Sequence, residues 1–238
     1  MAIEWHTTAH AGSTMRMYMA QPYTTTAAPL VLVLQHRGGV DEHMQDMVHR
    51  LFREGYTVIA PDLFHRLGPE VPADERVHRL RDPEIVQDCQ AAIAYARAHG
   101  LPINRIGVVG FCSGGRSAYL AAAELPDINA AAVFYGGNTK VAKGDTASPF
   151  EKSARITCPV IGFFGADDTN PSPQDVQDLG QALQRQGTWY EWHTYQDTGH
   201  AFHNFKSSHY RPRAAAASWH TLLGFFDQHL RHPAGMAV

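Results

Sequence analysis

The chain has 238 residues, 44% of them hydrophobic and 18% charged, enough to bury one sizeable core. The formal net charge of −3 and a pI near 6.6 exclude a strongly basic surface of the kind that binds nucleic acid. Three cysteines make an odd, sparse set, which argues against a disulfide framework and for a reducing, cytoplasmic setting.

Taken in chain order, MAIEWHTTAH lacks the basic start and apolar run of a secretory signal. No stretch approaches the roughly 18 apolar residues of a membrane span, so no membrane partner is expected. PLVLVLQ (29–35) is a short continuous apolar run and predicts a buried strand. Met44, Met47, Val48 and Leu51 then keep helical spacing. YTVIAPDLF (56–64) predicts a second strand, and 65–82, rich in Pro, Gly and charge, predicts a loop excursion. Ile85, Cys89, Ala92, Ile93 and Ala96 mark a helix over 83–99, with Pro83 in its first turn. RIGVVGF (105–111), AAAVFYG (130–136) and PVIGFFG (159–165) are three more buried strands, and TWYEWHTY (188–195) alternates as another. Helices are expected over 113–125, 174–186 and 213–230, and a long polar loop over 137–158. Strands alternating with helices imply βαβ units. The expected fold is α/β, a single domain over 1–238 with a mostly parallel central sheet covered by helices on both faces.

GFCSGG (110–115) lies where a strand ends and a helix begins. A nucleophile on that sharp turn crowds the backbone two residues to either side, where only tiny residues fit. For Cys112 those flanks are Gly110 and Gly114; for Ser113 they are Phe111 and Gly115. The spacing selects Cys112, and it makes the Ser113 backbone N–H an oxyanion donor. A bland alternative is a tight turn around an inert cysteine. Against it, the ends of the strands at 159–165 and 188–195 carry Asp167 and Asp168, then His200, in the order nucleophile, acid, histidine. The fifteen histidines are otherwise scattered, with no HExxH or CxxC spacing, so no metal is expected.

These segments resemble the dienelactone hydrolase family of the α/β-hydrolase fold over nearly the whole chain. G-F-C-S-G-G is similar to the family's G-x-C-x-G-G elbow, and T-G-H-A-F to its A-G-H-S-F segment, which assigns His200. EGYTVIAPDLFHR (54–66) resembles its Q-G-Y…P-D-L-Y stretch. G-A-D-D-T-N-P is similar to G-x-D-x-x-x-P, which assigns the acid to Asp167 rather than Asp168. The resemblance implies a Cys112–His200–Asp167 triad that cleaves a lactone or small activated ester. The N–H groups of Arg37 and Ser113 would form the oxyanion hole, with no cofactor, and the chain would act as a monomer. A general carboxylesterase or thioesterase is the alternative, and a non-catalytic small-molecule binder a more distant one. Two positions depart from the family. Q-H-R-G-G-V puts His36 where the family has a glutamate near the cysteine, and Asn204 stands where it has a substrate-binding arginine. His36, and Arg76, Arg79 and Arg81 of the excursion, are therefore the expected substrate contacts.

Overall fold

A computed structural model describes residues 2–22 and 27–232. Among these residues eight strands form one sheet in the order β1-β2-β4-β3-β5-β6-β7-β8. From β3 (Ala28–Leu34) through β4 (Thr57–Pro61), β5 (Ile103–Phe111), β6 (Ile128–Phe134), β7 (Val160–Gly165) and β8 (Tyr190–Tyr195) neighbouring strands pair in parallel. The apolar runs lie here because helices cover both faces of the sheet. In β3, Leu30, Leu32 and Leu34 face one core and Val31 and Val33 the other. The first core is closed by α3 (Asp82–Ala98), α4 (Ser113–Glu124) and α5 (Pro173–Arg185), the second by α1 (Glu42–Arg53) and α6 (Pro212–Phe226). The single mostly parallel α/β sheet is as expected.

The N-terminal hairpin was not anticipated. Strands β1 (Ala2–His10) and β2 (Ser13–Gln21) pair antiparallel, and β2 runs antiparallel to β4. Ala11 and Gly12 close the turn with φ +49° and +78°, the double left-handed step that matches the twist of a two-residue hairpin. The excursion contains one helical turn, α2 (Arg76–Arg79). No helix among the described residues is long and apolar enough to cross a membrane.

From β3 the chain crosses to β4 on one side and then to β5 on the other. Such a reversal opens a crevice beyond the carboxyl ends of β3 and β5, where open α/β sheets hold their ligands. The 35–41 loop and Cys112 both lie there.

Candidate active site

Cys112 caps α4 with φ +56° and ψ −118°, a backbone conformation that costs a non-glycine residue of order 1–3 kcal/mol. The surroundings hold it there: Cys112 N–H donates to the Phe134 carbonyl, 3.0 Å away. The flanking glycines are required by space. A Cβ on Gly110 would collide with the Gly114 backbone, and one on Gly114 with the carbonyls of Leu34 and Gln35. The turn thus presents the thiol above the sheet, half-buried, at the head of a helix whose dipole favours negative charge. The other cysteines, Cys89 and Cys158, are free and buried, and that burial pushes both thiols well up from their ordinary value, so they remain protonated.

His200 Nε2 lies 3.0 Å from Cys112 Sγ, and its Nδ1 lies 2.8 Å from Asp168 Oδ2. The motif points to Asp167 as the partner of this ring, but the carboxylate that meets it is that of Asp168. Beyond β7 the Asp168 N–H turns back onto the Gly165 carbonyl, which carries its carboxylate inward, where the residue is 4% exposed. Asp167 faces solvent, and its backbone N–H is engaged by the Thr198 carbonyl of the histidine loop. The second Asp168 oxygen accepts from Asn170 N–H. Burial favours a neutral His200 ring, but hydrogen bonds to Asp168 and Cys112 outweigh it and raise its pKa to about 10. The ring is held as an imidazolium at neutral pH, the state that stabilises a thiolate beside it.

Two cavities meet at this pair. The larger, about 440 Å³, is lined by Arg37, Ser113, Arg116, Lys143 and Asp168 as well as Cys112 and His200. The smaller, about 250 Å³, is lined by His36, His43, Phe111, Tyr135 and Asn204, again with Arg37, Cys112 and His200. The expected oxyanion residues Arg37 and Ser113 therefore both face the thiol's surroundings. His36 also lines the site, with Nε2 3.0 Å from Asp41 Oδ1, while the thiol's hydrogen-bond partner is His200. Asp41 Oδ1 accepts in addition from His43 N–H and Met44 N–H, so His36 is tied to the N-cap of α1.

The three excursion arginines do not line either cavity, a second correction. Arg76 Nε donates to the Val71 carbonyl, Arg79 pairs with Glu75, and Arg81 with Asp145. The single turn of α2 directs Val77 and His78 into the larger cavity instead. Besides Arg37, the cations that reach it are Arg116 and Lys143, which the sequence reading did not single out. Arg116 is 2% exposed and grips Asp82 through both guanidinium nitrogens, at 2.5 and 3.0 Å. It also donates to the carbonyls of Asn138 and Val141. Lys143 donates through Nζ to the Val77 carbonyl, and its ammonium is disfavoured by burial and by Arg116. A lone arginine in the apolar sequence SGGRSAYLAAA was the available sign of such a buried pair. Among the described residues no group of three or more His, Cys, Asp or Glu is placed to hold a metal ion.

A profile of the dienelactone hydrolase family matches residues 15–230. A provisionally named carboxymethylenebutenolidase of Salmonella typhimurium is 32% identical over 229 residues, 92% of this chain and 84% of its own. A Bradyrhizobium protein, provisionally named a 2-oxo-3-(5-oxofuran-2-ylidene)propanoate lactonase, is 28% identical, covering 97% of this chain and 96% of its own. The crystal structure of a provisionally assigned dienelactone hydrolase from Klebsiella pneumoniae superposes with a TM-score of 0.84 at 32% identity, covering 95% and 99% of the two chains. The chain belongs to the dienelactone hydrolase family and is, as a member, a hydrolase of ester bonds.

Proposed function

We propose that this protein cleaves a lactone or small activated ester through Cys112, His200 and Asp168. The continuous contact from thiol to imidazole to buried carboxylate, 3.0 and 2.8 Å, carries the reading. The Cys112 thiolate attacks the carbonyl carbon. The N–H groups of Ser113 and Arg37 receive the developing oxyanion. As the tetrahedral intermediate collapses, the C–O bond breaks and His200 gives its proton to the departing alkoxide, leaving a thioester on Cys112. Water then attacks the thioester as His200 takes its proton, and the acid leaves as the thiolate is restored. Asp168 keeps the imidazole in the orientation both steps need. The lactonase name of the Bradyrhizobium relative and the larger cavity, of small-ligand size, support a lactone or compact ester as substrate.

The test is a panel of 4-nitrophenyl acetate, a dienelactone and an acyl thioester, with wild type and Cys112→Ala. Lactone turnover lost in Cys112→Ala is the expected result. Turnover of the other two alone would move the assignment to a general carboxylesterase or thioesterase. No turnover of any would overturn it in favour of a binder.

A further inference from the structure

The smaller cavity contains a side chain that the cysteine chemistry does not use. His43, in the first turn of α1, is 1% exposed, and neither of its ring nitrogens has a hydrogen-bond partner. Its backbone is fixed by the Asp41 cap, and its ring packs among His36, Phe111, His203 and Phe205 at centroid distances of 5.3–6.0 Å. A phenylalanine would fill that aromatic setting without stranding polar atoms. Leaving a buried donor or acceptor unpaired costs about 1–3 kcal/mol, so such a group in a cavity wall points to something that pairs with it.

The form of the ring narrows what that is. Burial, His36, Arg50 and Lys206 all disfavour its charge, and only Asp41 opposes them, so its pKa falls to about 4. A neutral imidazole offers one N–H donor and one nitrogen acceptor. Phe111, Tyr135 and Asn204 add no charge to this cavity, whereas Arg116, Lys143 and Asp168 line the other. Arg37 and the His200 ring, whose charge faces Cys112 and Asp168, are common to both. A carboxylate entering the smaller cavity would lose water without gaining a dedicated cation.

We propose that the smaller cavity is a specificity subsite for a neutral, hydrogen-bonding substituent of the substrate, a hydroxyl or carbonyl, held by the His43 ring with Asn204 beside it. This rests on the reading of Cys112 as the hydrolytic nucleophile and adds what the second arm of the ester carries.

Two matched pairs of esters probe the two arms. On the acyl side, 4-nitrophenyl 3-hydroxybutyrate is compared with 4-nitrophenyl 3-methylbutyrate. On the alcohol side, 2-hydroxyethyl acetate is compared with propyl acetate. Wild type is expected to favour the hydroxylated member of one pair in kcat/KM. His43→Phe is expected to cut that preference about tenfold, the size of one neutral hydrogen bond. His43→Gln, which keeps a donor and an acceptor, is expected to retain most of it. No hydroxyl preference in wild type, or the same preference in His43→Phe, would overturn the proposal and leave the ring serving ordered water alone. Should His43→Phe not fold, nitrogen NMR of the wild-type His43 ring replaces it. A shift on adding 3-hydroxybutyrate but not 3-methylbutyrate supports the subsite, and equal or absent shifts overturn it. Turnover of 4-nitrophenyl acetate by wild type and its loss in Cys112→Ala report separately on the nucleophile, so the two readings fail independently.

Discussion

Asp168 and His200 meet at 2.8 Å although they come from loops after different strands, β7 and β8. The Asp167 N–H to Thr198 carbonyl bond, 2.9 Å, fastens one loop to the other. Asp167 therefore contributes through its backbone, and Asp168 through its carboxylate. Asp168→Asn is expected to lower kcat/KM for 4-nitrophenyl acetate by on the order of 10³–10⁴-fold, through a wrongly held imidazole. Asp167→Asn, which leaves the backbone bond intact, is expected to stay within about twofold. Steady-state kinetics of the two variants decide the matter, and the reverse ranking would return the role to Asp167.

The charge state of His200 has its own signature. With a pKa raised to about 10, the ring is protonated below that value and lost as a cation only above it. A cation held beside Cys112 favours the thiolate over the thiol. Iodoacetamide alkylation of Cys112 at neutral pH should be faster in wild type than in His200→Gln. In His200→Gln the cation is gone, and alkylation should climb only through the ordinary thiol range, around ~8.5. A wild-type profile that climbs through that same range would count against the ion pair.

The five-strand parallel core from β3 to β7 could be read from apolar runs alone, because burial on both faces removes alternation. The elbow was legible for a related reason: two glycines at fixed offsets record a steric demand that few other turns make. The β1–β2 hairpin left a fainter trace, the alternation of buried Met15, Met17 and Met19, since its edge strand mixes polar and apolar residues. The choice between Asp167 and Asp168 was not legible. Adjacent residues of one type differ only in which way a turn aims them, and that is set by the Gly165 and Thr198 contacts. The excursion arginines misled because charge on a loop does not say which side of the loop faces the cavity.

Arg116 and Asp82 form a pair with side chains only 2% and 0% exposed. Lys143 N–H donates to the same carboxylate, and Asp82 N–H to the Lys143 carbonyl. The pair thus joins the elbow helix, the start of α3 and the loop carrying Lys143 into one wall of the larger cavity. Removing one partner strands a buried charge. Asp82→Asn or Arg116→Leu should each destabilise the fold by about 3–5 kcal/mol. The double variant should recover part of that loss, because no charge is left unpaired. Urea unfolding of the three proteins measures it; losses that simply add would show that the two groups act separately.

His43 also predicts how stability responds to acid. Its folded pKa of about 4 lies below the ordinary histidine value of ~6.5, so the unfolded chain binds this proton more readily than the folded one. Stability from the buried neutral ring is complete above pH ~6.5 and is lost progressively as pH falls toward 4, by an amount of order 3 kcal/mol. Its neighbour His203, 2% exposed and depressed further by burial and by His43, pulls in the same direction. Groups with lowered carboxyl values, such as Asp88 held down by His65 and Arg66 against its burial, act mainly at still lower pH. His43→Phe removes one of these histidine contributions while keeping an aromatic ring among Phe111 and Phe205. Its unfolding free energy should fall less steeply between pH 6.5 and 4.5 than that of wild type, whatever its value at pH 7. Urea titrations at half-unit intervals measure the two slopes. Parallel curves would mean that His43 is already protonated in the fold or hydrated enough to titrate normally, and would remove the basis for treating it as a neutral ring.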